Sequence, residues 1–122
     1  MSTKLKIKVT KDVLEKSKWC GIAQGTKPTT NCAIAVAIRD IFPKAIVNNT
    51  EIIYKYAISP EDISIKSELP EDARVFISIF DKSSSDERVA MRELEFEIEV
   101  PDEVIDGIDI EDIKKCATLE LV

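Results

Sequence analysis

Histidine is absent from this sequence, and glycine (3), cysteine (3) and proline (5) are all sparse. Without an imidazole there is no Ser-His-Asp or Cys-His pair and no side chain that titrates near neutrality by default. Catalysis would have to come from a carboxylate, a lysine or a thiolate such as Cys32, and no spacing singles one out, so the chain reads as a non-enzyme. Cys20, Cys32 and Cys116 are odd in number and lack C-x-x-C spacing, so one chain cannot supply four Cys/His ligands for structural zinc. They read as reduced thiols packed as small hydrophobes; a Cys20–Cys32 bridge is the alternative that a cytosolic setting disfavours. No metal or cofactor pattern is expected. No apolar run approaches the roughly 18 residues of a membrane span. Met1-Ser2-Thr3-Lys4 leads straight into an alternating pattern with no apolar signal core, so export is not expected and the cytoplasm is the expected location.

What is present is the composition of a soluble globular protein: 122 residues, 44% apolar and 33% charged. One domain spanning residues 1–122 is expected, large enough to bury a core without staples. The net charge of −6 disfavours a duplex-DNA binder that works by neutralising phosphates. That charge is unevenly placed. Lys4, Lys6, Lys8, Lys11, Lys16 and Lys18 face only Asp12 and Glu15 near the start, whereas Glu93 to Asp112 holds ten acids and no base. Two solvated faces of opposite sign are the plain reading; a mimic of nucleic-acid charge that occupies a basic site on a partner is the sharper one.

Lys4-Leu-Lys-Ile-Lys-Val9 alternates strictly and predicts an amphipathic strand with Leu5, Ile7 and Val9 inward. Thr10 is placed to cap a helix from Lys11 to about Trp19, with Val13, Leu14, Ser17 and Cys20 as its inner stripe. Gly21 to Thr30 reads as a loop in which Gly21 and Gly25 permit left-handed turns. Asn31 then looks like the cap of a nearly all-apolar helix, Cys32 to Phe42, stopped by Pro43 and destined for the middle of the domain. Short strands are expected at Ala45–Val47 and Thr50–Ala57, and residues 58–69 are ambiguous. Pro70-Glu71-Asp72 opens a helix with Ala73, Phe76, Ile77 and Phe80 inward, with Pro70 in its first turn. Lys82 to Arg88, with three successive serines, reads as a mobile connection.

Glu93-Leu-Glu-Phe-Glu-Ile-Glu-Val100 is the clearest strand in the chain. One or two helical turns around Gly107 and a terminal strand at 118–122 complete the pattern. The outward lysines of the first strand and the outward glutamates of the late one predict that these two strands are sheet neighbours, in an unspecified direction. The expected architecture is α+β: a single, mostly antiparallel sheet of four or five strands with helices packed on one face.

The loop before the second helix is the strongest candidate site, because helix starts attract anions. Lys27, Thr29, Thr30 and Asn31 would donate, Trp19 would offer a stacking ring, and Arg39 would reach an anion or pair with an acid. The alternative is an ordinary capped helix. Gly21-x-x-x-Gly25-Thr26-Lys27 matches neither a Walker loop nor a dinucleotide fingerprint. Trp19, Tyr54 and Tyr56 form either a stacking surface or ordinary packing.

Val9-Thr10-Lys11-Asp12, then Cys20, then Asn31-Cys32-Ala-Ile-Ala-Val-Ala-Ile-Arg39-Asp40 resembles small uncharacterised proteins of bacteriophages and prophages. Leu69-Pro70-Glu71-Asp72-Ala73-x-x-Phe76-Ile77-x-x-Phe80-Asp81, followed by Glu95-Phe96-Glu97, resembles their second half. The likeness spans roughly residues 5 to 100; residues 102–122 are longer and more acidic than the pattern. It implies no particular chemistry. A phage setting would suggest holding a small anionic, nucleotide-like ligand such as an immune signal. The alternative is an acidic inhibitor or accessory protein docking on a host or phage protein, or a minor virion component. Homo-oligomerisation is expected in either case.

Overall fold

A computed structural model of the chain describes residues 2–22, 32–55, 59, 61 and 64–122. In chain order the elements are β1 (Ser2–Val9), α1 (Lys11–Ser17), α2 (Ala33–Ile38), β2 (Ile46–Val47), β3 (Glu51–Lys55) and β4 (Ile65–Glu68). There follow α3 (Glu71–Lys82), α4 (Ser85–Ala90), β5 (Leu94–Pro101), α5 (Asp102–Ile105), α6 (Ile110–Lys115) and β6 (Leu119–Leu121). No helix among the described residues is long and apolar enough to cross a membrane.

The alternation in β1 and β5 pairs as expected. The strands are antiparallel neighbours, with Lys4, Lys6 and Lys8 opposite Glu99, Glu97 and Glu95, and Leu5, Ile7 and Val9 opposite Ile98, Phe96 and Leu94. β6 adds on the other side of β1, so Lys6 has Glu97 on one flank and Glu120 on the other. The ammonium groups of Lys6 and Lys8 turn toward Glu120, at 3.9 and 3.3 Å. A slip of one residue would put three lysines in the core, so the register is strongly specified.

The expectation of one sheet of four or five strands needs correction. There are two separate three-stranded antiparallel sheets, in the orders β5-β1-β6 and β2-β3-β4, with six helices among the described residues. β4 runs beside β5, but a side chain makes the link: the Ser67 hydroxyl donates to the Glu99 carbonyl at 2.5 Å. Having spent its one proton there, Ser67 accepts from the Tyr54 hydroxyl at 2.8 Å. No backbone ladder joins β4 to β5 among the described residues, so the two sheets stay separate.

Thr10 caps α1 through Val13 N–H at 3.3 Å, and Val13, Leu14, Ser17 and Cys20 are buried as expected. α1 ends at Ser17, two residues early, where Ser17 bonds back to the Val13 carbonyl and Gly21 takes a positive φ of 70°. α2 is buried on every side, packed on β1, β2 and α1, which bears out its central position. It is shorter than expected and has Cys32 at its N-cap position; Asn31 lies outside the described residues. It stops at Ile38, well before Pro43, because Arg39 and Asp40 must leave the core for solvent.

α3 buries Ala73, Phe76, Ile77 and Phe80, with Pro70 at the N-cap position and not inside the first turn. The Lys82–Arg88 segment is not a plain connection. Ser84 and Glu87 form a capping box that starts α4, Ser84 accepting from Glu87 N–H at 3.3 Å and donating its own N–H to Glu87 at 2.8 Å. That backbone donation holds the Glu87 carboxyl below its ordinary value.

Replacing Ser67 by alanine cuts the bridge between the sheets and orphans the Tyr54 hydroxyl. Urea unfolding is expected to show a loss of about 1–3 kcal/mol with an unchanged m value. A loss under about 0.5 kcal/mol would mean the seam is held by packing alone.

Candidate functional site

Of the residues singled out in the sequence, Lys27, Thr29, Thr30 and Asn31 lie outside the described residues. Trp19 sits in the turn after α1 and is 50% exposed, while Arg39 is exposed at the C-terminal end of α2. Trp19 follows α1 and Arg39 ends α2, so the two sit on different elements. Tyr54 is half-buried, its ring 5.0 Å from that of Phe42, and burial pushes its phenol up to about 12. Tyr56 lies outside the described residues.

Sequence reasoning missed Arg88. It is 3% exposed, and its guanidinium bonds three main-chain carbonyls: Nε to Phe80 at 2.9 Å, and Nη1 to Lys18 at 3.1 Å and Cys20 at 2.6 Å. The same group lies 4.2 Å over the Phe80 ring. It closes the C-terminal ends of α1 and α3 with one side chain and fixes the turn that carries Trp19.

Cys20, Cys32 and Cys116 are thiols and none is in a disulfide. Burial pushes the Cys32 thiol up to about 11, and burial also raises Cys20 although the Arg88 charge pulls the other way. Both are protonated at neutral pH and are poor nucleophiles. Among the described residues no group of three or more ligating side chains is gathered for a metal.

The surface holds two adjoining clefts. α3 turns Phe76, Ile77 and Phe80 into the core, but Val75 and Ile79 stand one turn apart on a different side and are 51% and 52% exposed. With Phe76, Met91 and Leu94 they floor a groove of about 550 Å³, rimmed by Glu71, Asp72, Arg92 and Glu93. Its far wall is tied to the start of α1: the Lys11 backbone N–H donates to the Glu93 carboxylate at 2.9 Å, and its ammonium group to the Met91 carbonyl. The second cleft, about 760 Å³, lies along the β4–β5 seam and includes Glu68, Glu97, Glu99, Lys4, Lys66 and Arg74. Glu71 lines both. Here Lys66 is engaged with Glu51 at 3.0 Å, and Arg74 Nε donates to the Leu69 carbonyl at 2.8 Å. In the sequence the Val75/Ile79 pair stands out as an i, i+4 apolar repeat offset from the main stripe of α3.

Comparison with protein-family models, curated proteins and solved structures finds no match for this chain.

The Cys32 thiol keeps its proton in the folded state from its ordinary value of 9.0 up to about 11. Unfolded chains lose that proton first, so this contribution is complete below the unfolded value and disappears as pH rises through the folded one. Unfolding free energies from urea titrations at about pH 8 to about pH 11 are expected to fall, with a slope of about 1.4 kcal/mol per pH unit for each such group. Cys32→Ala should remove one group's worth of that slope; an unchanged slope would overturn the assignment.

Proposed function

We propose that this is a non-enzymatic binding protein whose contact surface is the acid-rimmed apolar groove between α3 and the start of β5. The reading is that of an inhibitor or accessory protein docking on another protein, in keeping with the phage-like pattern of the sequence. The observation that carries it is the exposure of Val75 and Ile79, each about half accessible, over a floor shared with Met91 and Leu94. Apolar side chains gathered in a groove and bordered by charge mark an interaction surface more often than scattered ones do. Covering the exposed halves of Val75 and Ile79 contributes about 1 kcal/mol each. The buried thiols suit a reducing compartment, so the cytoplasm of a host cell is the proposed setting.

Ile79→Asp leaves the core face of α3 untouched and should not shift the melting temperature by more than a few degrees. Affinity capture from host lysate is expected to enrich one protein with the natural chain and lose it with Ile79→Asp. A partner retained equally by Ile79→Asp and Val75→Asp counts decisively against the groove.

The half-exposed Trp19, the single tryptophan of the chain, favours a second reading: a small anionic, nucleotide-like ligand held at Trp19 and Lys27. Its emission would then report binding directly. Titration with linear and cyclic nucleotides should quench or shift that emission, and Lys27→Ala should abolish the response. A flat response across the panel sinks this reading.

A further inference from the structure

We infer that the groove and the seam cleft beyond it are one bipartite site for a peptide segment that is apolar along one helical face and basic at one end. This rests on the groove being the contact surface, and it adds the chemistry of the occupant. Glu71 lines both depressions, so the apolar groove and the polar cleft adjoin at the first turn of α3. From Ile79 back to Glu71 is eight residues, about 12 Å, a length that matches roughly two turns of a docked helix.

The polar half is biased toward cations. Glu68, Glu71, Glu97 and Glu99 border it. Of its positive groups, Lys66 is committed to Glu51 and Arg74 donates to a main-chain carbonyl. Glu97 and Glu99 stand outward on β5 beside Lys6 and Lys4, so these two lysines offset part of the charge. Across both depressions six carboxylates meet four cations, and the chain as a whole carries −6. Lysines or arginines following an apolar helical face would meet carboxylates exactly where the floor ends, whereas an acidic continuation would be repelled.

The test uses a synthetic amidated peptide with leucines at i, i+3, i+4 and i+7 followed by a run of lysines, titrated by fluorescence anisotropy against the full chain. Two comparison peptides carry glutamates in place of the lysines, or serines in place of the leucines. Only the Leu/Lys peptide should bind well, and its affinity should fall as salt is raised. Ile79→Asp should weaken it at least about tenfold, and Glu68→Lys with Glu71→Gln should weaken it similarly while flattening the salt dependence. Glu111→Lys on α6 should change little.

Equal binding of the serine peptide, or indifference to Ile79→Asp, would reduce the effect to general attraction for cations and overturn the proposal. Equal binding of the glutamate peptide would overturn its charged half. If the lysate partner depends on Ile79 but engages through a non-basic segment, or is a second copy of this chain by sedimentation, the bipartite assignment fails while the groove reading stands. A partner indifferent to Ile79 removes the groove reading itself.

Discussion

The antiparallel pairing of β1 with β5 is the constraint on which the rest of the molecule depends. Each strand alternates with period two, one with lysines outward and the other with glutamates outward, and the observed register sets opposite charges and apolar pairs face to face. The ion pairs that Lys6 and Lys8 make are with Glu120 of β6, and being half-exposed they contribute little. Their weight lies in what they forbid: a slip of one residue would bury lysines, and a stack of glutamates without facing lysines would repel itself. With that register in place, one side of the sheet must be covered by apolar elements. α2, which is buried on every face, is the element that fills the space against β1.

The strands and helix faces that could be read from the sequence are those set by neighbours a few residues away. β1, β5, the inner stripe of α1 and the inner face of α3 follow from periods of two and 3.6. What escaped reading depends on contacts between distant segments. The seam between the two sheets is bridged by Ser67 reaching Glu99, 32 positions away, and Arg88 is buried against carbonyls as far as 70 positions away. The capping box at Ser84 is a different kind of miss. Ser84-x-x-Glu87 is a local signature, but it sits inside a run of serines that reads more readily as a flexible link.

The candidate site was legible only in pieces. Of the ligand-site residues singled out from the sequence, the two described ones, Trp19 and Arg39, sit on different elements, after α1 and at the end of α2. The groove used α3 residues that the sequence shows plainly, Val75 and Ile79, but their exposure depends on where Met91 and Leu94 stop covering them. That boundary is set by Lys11 holding the Met91–Glu93 segment, a contact some 80 residues long in sequence. No periodicity in either segment reveals it.

The outer face of the β5-β1-β6 sheet is densely charged, yet it is a poor contact surface for the same reason that it is a good fold determinant. Its lysines and glutamates already face one another across strands, so a partner would have to compete with that internal compensation and find no apolar area in return. β5 is an edge of this sheet, and beyond it lie β4 and the long helix α3. Glu97 and Glu99 border the cleft along the seam with β4, and the groove over Val75 and Ile79 adjoins that cleft at Glu71. The charge pattern that sets the register of the sheet thus has at its border a region where carboxylates outnumber cations and apolar side chains are exposed.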